Sequence, residues 1–336
     1  MGVCSPLWIS EAEVTSLMNI GDAIQALERG LLAEANGDAR NMVKTHVGWG
    51  DGATLHAIGA VFPKAGFAGT KTWAHTKAGA SPLLVLFDSE SGALRAIIEA
   101  FALGQMRTAS ASGLATQWLA VAGAEDFAII GTGKQAITQV AAVLAVRPIR
   151  KIRVFGLNEE RRREFAKRVE SEFNVETIAC NSAADTVVGA QVITLVTRAT
   201  EPVITAAMIA QGSHINAVGA ILPNRAEVSQ DLMRRCSEII VDSVLQAQHL
   251  SRELIEFLGD PDEEGWKKVK SLACLLSQRE SRRPTDDVTL LKSLGMGISD
   301  LSLGIELYGS ALANGIGREF PQPKTAPLRL DAAGRE

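Results

Sequence analysis

The first rhythm of apolar and polar positions along the chain is helical. "SEAEVTSLM" opens with Ser10 and Glu13 at the spacing of a capping box. "NIGDAIQALERGLLAEANGD" then sets Ile24, Leu27 and Leu31 on one face before Gly37 stops it. The period next shortens to two: "ATLHAIGAVF", "GTKTWAH", "SPLLVLFD" and "ALRAIIEA" read as strands, the last two joined by the turn "SESG". A helix followed by a mostly antiparallel sheet is expected. "FALGQMRTASASGLATQWLAVAG" returns to helix, with a band of small residues (Ser110, Ala111, Ser112, Gly113, Ala115) that lets another backbone come close.

From Glu125 strands and helices alternate through "DFAIIGTGKQAITQVAAVLAV", "KIRVFGLNEERRREFAKRV", "VETIA", "AQVITLVT", "SHINAVGA" and "SEIIVDS". That alternation predicts a parallel, doubly wound sheet. "VTLLKSLGMGISDLSLGIELYGSALANG" is expected to be helical, with Gly295 and Gly297 breaking its first part, and to cross back to the first domain. One stretch departs from pattern. "INAVGAILPNRAEV" runs as a buried strand into a Gly turn, then gives Ile221, Leu222 and Pro223 where a site at a strand end usually offers something polar.

The 336 residues, 46% of them hydrophobic, are enough for two packed domains. The net charge of −4 is spread along the chain, which gives no electrostatic case for nucleic acid or an anionic membrane. Cys4, Cys180, Cys236 and Cys274 show no metal-ligand spacing and are expected to be reduced thiols in a cytoplasmic protein. No apolar run approaches the ~20 residues of a membrane span. "MGVCSPLWISEAEV" lacks the basic and apolar regions of a signal peptide, and in "MGVCSP" the Ser falls one position early for myristoylation, with Pro6 in its place.

The strongest local motif is "FAIIGTGKQA", an apolar strand running into Gly131-x-Gly133-x-x-Ala136 and an apolar helix. Gly131 permits the tight turn, Gly133 lets a pyrophosphate approach the backbone, and Ala136 lets helix and strand pack closely. The phosphates would sit at the helix N-terminus, among free N–H groups. The second strand ends in Phe155, Gly156, Leu157 and Asn158, with Glu159, Glu160 and Arg161 after it. No acid or Arg stands cleanly at the strand end, so NAD and NADP both remain open. "EERRREFAKR" reads as a solvated helix face.

In "GTKTWAH", Lys71, Trp73 and His75 share one face. A Lys on the buried face of an apolar sheet must be paired, desolvated to a lower pKa, or catalytic. Arg40 and Arg107 are each suited to fork a carboxylate, with an acid such as Glu99 as an ordinary partner for Arg107. His46, His56 and His75 do not have metal-ligand spacing, and no metal is expected. No GxSxG elbow, Cys nucleophile context or carboxylate pair stands out. Hydride transfer needs none of these, because the cofactor carries that chemistry.

Together these pieces resemble the ornithine cyclodeaminase/μ-crystallin family. The resemblance rests on "GTKTW", "LLVLFDSESGALRAIIEA", "LGQMRTASASGLATQWLA", "IIGTGKQAITQVAAVLAVRPIRKIRVF", "GSHINAVGA", "IIVDS" and "TLLKSLGMGISDL". It spans most of the chain in order, apart from about Leu250 to Arg283. It implies an α/β protein with an N-terminal α+β substrate and dimerisation domain (1–118, completed by a C-terminal helix, 306–336) and a Rossmann NAD(P) domain (119–305). It places carboxylate-binding arginines on Arg40 and Arg107 and the catalytic lysine on Lys71, with His75 and Ile221 among the substrate contacts. Thr108, Gly131, Thr132, Gly133, Lys134, Gln135, Asn158, Arg161, Thr197, Val218, Gly219, Gly295 and Met296 would hold the cofactor. Where the family's cyclodeaminases follow "NAVGA" with an Asp, this chain has Ile221. Glu227 matches a family Glu that reads as structural, near the next helix start.

The expectation is therefore a cytoplasmic homodimer that reduces a carboxylate-bearing imine with NAD(P)H, or runs the reverse oxidation, on a small-molecule imino or amino acid. Ile221 and Leu222 would form an apolar wall suited to an apolar or cyclic substrate end. A cyclodeaminase with its acceptor elsewhere, and an NADP-binding crystallin-like protein with little turnover, are the alternatives.

Overall fold

In the computed structural model, which describes residues 5–261 and 264–330, the chain builds two sheets. The reading of "MGVCSP", with Cys4, and the last six residues fall outside the described residues. β1 (Leu7–Ile9) leads into α1 (Glu11–Leu17) and α2 (Ile20–Ala35). Ser10 N–H donates to Glu13 Oε2 at 2.7 Å, so the capping box forms. Ile24, Leu27 and Leu31 of α2 are buried, and Gly37 (φ +76°) ends the segment.

There follow β2 (Arg40–Asn41), β3 (Thr45–Trp49), β4 (Ala53–Phe62), β5 (Phe67–Thr76), β6 (Gly79–Ala80), β7 (Leu83–Asp88), β8 (Leu94–Glu99) and α3 (Phe101–Leu119). The second unit runs β9 (Asp126–Ile130), α4 (Ala136–Val146), β10 (Lys151–Phe155), α5 (Glu159–Phe173), β11 (Glu176–Ala179), α6 (Ala183–Val187), β12 (Val192–Leu195) and β13 (His214–Ala217). It continues with α7 (Gln230–Arg235), β14 (Cys236–Val241), α8 (Val244–Leu250), α9 (Arg252–Leu258), β15 (Val269–Ser271), α10 (Leu272–Gln278) and β16 (Val288–Lys292). α11 (Gly297–Asn314) and β17 (Arg318–Glu319) close the chain.

The first sheet has the order β17-β1-β8-β7-β5-β4-β2, with β3 on β4 and β6 on β5. Only β1 and β8 pair in parallel there. The second sheet, β11-β10-β9-β12-β13-β16-β14-β15, is parallel throughout. Its strand order reverses between β9 and β12, and a crevice at the carboxyl ends of strands belongs at such a switch point. α3 ties the two units together. Asn216 Nδ2 on β13 donates to Thr116 Oγ1 at 2.9 Å, inside a buried network with His214 and Thr289.

The C-terminal part differs from expectation in two ways. "VTLLK" is a strand, β16, not the start of a helix. All five of its residues are buried, because the sheet is covered on both faces, and such a run has no period to tell strand from helix. The last helix spans 297–314 instead of 306–336. Gly315 (φ +64°) caps it, and β17 then pairs antiparallel with β1. α11 lies against α2, α3, β4, β5 and β7, and its first turn meets β4 at Gly59 and β5 at Lys71, so that turn belongs to the first sheet.

The contact that seats this helix is backbone on backbone. A Cβ on Gly297 would overlap the carbonyl of Gly59 on β4. Neither backbone can yield without shifting sheet or helix, so Gly297→Ala should destabilise by about 2–3 kcal/mol. An unchanged urea midpoint would contradict this packing. Among the described residues no helix is long and apolar enough to cross a membrane. The three described cysteines are free.

Candidate active site

Lys71 sits mid-strand on β5, opposite Ile58 and Leu84, and is only 4% exposed. An ammonium in that position needs a counter-charge. Asp300, fully buried in the first turn of α11, provides it and accepts a hydrogen bond from Lys71 Nζ. Arg107 reaches in from α3, with Nε 3.4 Å from Asp300 Oδ1. Gly104, one turn earlier on α3, leaves the room: a Cβ there would lie 3.5 Å from Lys71 Nζ. Burial pulls the Lys71 pKa down to about 8 against the opposing pull of Asp300, with Arg107 and Lys44 adding to the fall. Asp300 Oδ2 is buried and has no hydrogen-bond partner among the described residues.

Lys44 is a third cation here. Its Nζ donates to the Leu294 carbonyl at 3.5 Å, and its pKa is lowered by burial and by Arg107, against the pull of Asp242 and Asp300. The loop carrying that carbonyl is held by Asp242, at the end of β14. Asp242 Oδ2 accepts from Ser293 Oγ at 2.8 Å, Leu294 N at 2.8 Å and Gly295 N at 2.6 Å. Gly295 (φ +85°) is thereby pressed on Arg107, since a Cβ would come within 2.7 Å of its Nη1. Met296 is buried, its sulfur 3.6 Å from Asn41 Nδ2, and Asn41 Oδ1 accepts from Ile298 N at 2.9 Å. Asn41 so holds the start of the helix that presents Asp300.

The Gly turn lies at the switch point. Gly131 (φ +114°) passes so close to β12 that a Cβ would meet the Val196 carbonyl at 2.5 Å. Thr132 packs on Gly156. Gly133 and Lys134 are exposed, and nothing lies within 4 Å of where a Gly133 Cβ would be. Gln135 leads into α4, and Lys134 Nζ lies 5.5 Å from the Phe101 ring at the head of α3. An open backbone over the N-terminus of an apolar helix fits a pyrophosphate. Thr108, on α3 beside Arg107, donates its hydroxyl to Gly104 O at 2.9 Å.

At the ends of β12 and β13, Thr197 and Gly219 touch so closely that a Cβ on Gly219 would strike the Thr197 backbone. Glu227 joins them: Oε1 accepts from Thr197 N and Oγ1, each at 2.7 Å, and Oε2 from Gly219 N at 2.8 Å and Ala220 N at 3.0 Å. The Thr197 hydroxyl and backbone N–H are thus committed to Glu227. Asn158 Oδ1 is likewise committed, as N-cap of α5, to Arg161 N at 2.9 Å. Arg161 is exposed, whereas Arg162 turns inward to Gly156 O and Asn181 Oδ1. Ile221 packs half-buried against the core under the parallel sheet, and Leu222 is more exposed.

Two expected substrate residues are placed elsewhere. Arg40 pairs in register with Val61, while Lys71 pairs with Ile58, three positions away. Side chains alternate along a strand, so Arg40 projects from the opposite face of the sheet. His75 is exposed four residues along β5 from Lys71, ~13 Å away at the rise of a strand. Arg107 pairs with Asp300 and not with Glu99, which instead accepts from Trp8 Nε1 and Glu11 N. The expected set therefore loses Arg40 and His75 and gains Asp300, Lys44 and Asp242. Asp300 had a visible signal, a single acid in the apolar run "GMGISDLSLG". Among the described residues no three His, Cys, Asp or Glu converge as metal ligands would.

A family model described as the ornithine cyclodeaminase/mu-crystallin family matches residues 6–315. Delta(1)-pyrroline-2-carboxylate reductase of Bacillus cereus is 28% identical over 94% of this chain and 99% of its own. Ketimine reductase mu-crystallin of Mus musculus is 31% identical over 68% of each chain. The solved structure of Thermococcus litoralis Delta(1)-pyrroline-2-carboxylate reductase, in complex with NADH and L-proline, is 26% identical and superposes with a TM-score of 0.87 over 94% of this chain and 100% of that one.

Proposed function

The chain belongs to the ornithine cyclodeaminase/mu-crystallin family, and from that membership and its site we propose that it is an NAD(P)H-dependent reductase of a carboxylate-bearing imine, yielding the amino acid, or the enzyme of the reverse oxidation. The observation that carries this reading is the buried Lys71 ammonium, held by Asp300 beside Arg107. The relatives that reduce such imines by name support it, as does the solved complex with NADH and L-proline. Gly131, Thr132, Gly133, Lys134 and Gln135 would hold a dinucleotide, whose chemistry would be transfer of a hydride to the C=N carbon.

The rest is the work of this chain's side chains. Arg107 and Lys44 furnish the counter-charge for the substrate carboxylate. Lys71 delivers a proton to the imine nitrogen, so that a C=N bond gains one hydrogen at each end. Asp300 keeps the lysine aimed and in part charged. The loop held by Asp242 presses Gly295 on the guanidinium and fixes where it lies. Ile221 offers no acceptor for a second ammonium and no base for water, and it is packed against the core. That favours reduction over elimination of ammonia.

The outer face of the first sheet supports a homodimer, because Val47, Leu55 and Phe87 project from it exposed, away from Lys71. Free cysteines support a reducing compartment, and we place the protein in the cytoplasm. The test of function is loss of NADH or NADPH absorbance with a panel of cyclic and linear imino acids. No oxidation above blank with any of them would sink the reading.

The pH profile is a second check. Lys71 carries its proton below about 8 and loses it above. The rate of reduction at low substrate should be flat below that pH and fall about tenfold per unit above it, whereas the reverse oxidation should rise through the same range. A reduction rate that does not change across that pH would remove Lys71 as the donor.

A further inference from the structure

We propose that the site carries an aromatic recognition shelf, the face of Trp73 turned away from His56 and backed by the His56 and His46 rings, that takes a planar ring carried by the imino acid substrate. This rests on the reading of the site as a carboxylate-bearing imine pocket, and it names the class of substrate.

The shelf follows from strand register. His46 lies opposite His56 on β3 and β4, and His56 lies opposite Trp73 on β4 and β5. Directly opposed residues project from the same face, and two positions along β5 the same face carries Lys71. The rings lie on one another: His56 and Trp73 have centroids 4.6 Å apart at 8°, and His46 and His56 are 5.6 Å apart at 21°. The inner end of the stack touches the chemistry, with the Trp73 ring 5.2 Å from Lys71 Nζ. Exposure grows outward from there: Lys71 is buried, Trp73 and His56 are half-buried, and His46 is open to solvent. The stack therefore runs from the ammonium towards the mouth of the site.

His56 is suited to such a surface. Burial, with Lys44, His46 and His75 around it, pushes its imidazole down to about 4, so the ring is neutral at physiological pH. Nε2 lies 2.8 Å from Thr54 Oγ1, and Nδ1 is buried without a partner among the described residues. A carboxylate held at Arg107 and Lys44 leaves the remainder of an imino acid beside Lys71 and along Trp73. A planar ring gains offset stacking there that an aliphatic chain does not.

An ordinary alternative is that the stack only stabilises the β3–β4–β5 ladder. Binding of carboxylates that cannot be reduced separates the two without relying on turnover. Benzoate, cyclohexanecarboxylate and propionate are titrated into the full-length protein with saturating NADPH, and the heat of binding is recorded. Benzoate should bind about tenfold more tightly than cyclohexanecarboxylate, which matches it in size but is not planar. Trp73→Leu, which keeps apolar bulk, should abolish that preference while the affinity for propionate and the thermal midpoint stay close to those of the unmodified protein.

Equal affinities of the unmodified protein for benzoate and cyclohexanecarboxylate overturn the shelf, and so does a preference that survives Trp73→Leu. If Trp73→Leu does not fold, the comparison on the unmodified protein decides alone. A planar preference with no imine reduction would leave the shelf standing and remove the reductase. Reduction without a planar preference would do the opposite.

Discussion

Lys71→Met should remove turnover, lowering the rate of imine reduction by on the order of a thousandfold, while the affinity for NAD(P)H changes little. Met keeps much of the length of Lys but carries no ammonium, so the imine nitrogen has no donor and Asp300 is left buried without its nearest cation. Some loss of stability will accompany that variant, so a second one is needed. Lys71→Arg keeps a charge beside Asp300 but holds its proton far more tightly and does not fill the same space. It should fold, bind cofactor and remain at least about a hundredfold slow. Full activity in either variant would mean that another group supplies the proton.

Asp300→Ala should be the most destabilising change in the site. It leaves the buried Lys71 ammonium without its counter-charge and the half-buried Arg107 without its nearest acid, and breaking such a buried pair typically costs about 3–5 kcal/mol. The urea midpoint reports this. Asp300→Asn is the milder form and keeps the shape. It should move the pH at which reduction declines to below the value near 8 of the unmodified protein, because Asp300 is the group that raises the Lys71 pKa against burial. A midpoint unchanged by Ala, together with a pH profile unchanged by Asn, would show that the pair does not govern this site.

The Gly131 turn and the parallel strands around it were legible because their signals are local: an apolar strand, two glycines and an apolar helix within ten residues. Lys71 was legible as an anomaly, a charge on a face that alternation marks as buried. Its partner was not, because Asp300 lies 229 positions away and meets it only through the docking of α11 on β5. Arg40 was misplaced for a related reason. Only the β2–β4 register decides which face it takes, and that register follows from the fold, not from the residues near Arg40. β16 was misread because burial on both faces erases the period of a strand. Thr197 and Asn158 also serve the fold, Thr197 through Glu227, 30 positions away in sequence, and Asn158 as the N-cap of α5.

Ile221 keeps its weight. It is half-buried against the core, and on the proposed reading its lack of an acceptor favours reduction over elimination of ammonia. The most direct test gives the unmodified protein Delta(1)-pyrroline-2-carboxylate with NADPH or NADH, and in parallel ornithine or lysine with NAD, and measures amino acid formed and ammonia released. The account predicts proline in step with cofactor oxidation in the first reaction and no ammonia above blank in the second. Ammonia from ornithine or lysine, with no cofactor oxidised on any imino acid, would contradict it.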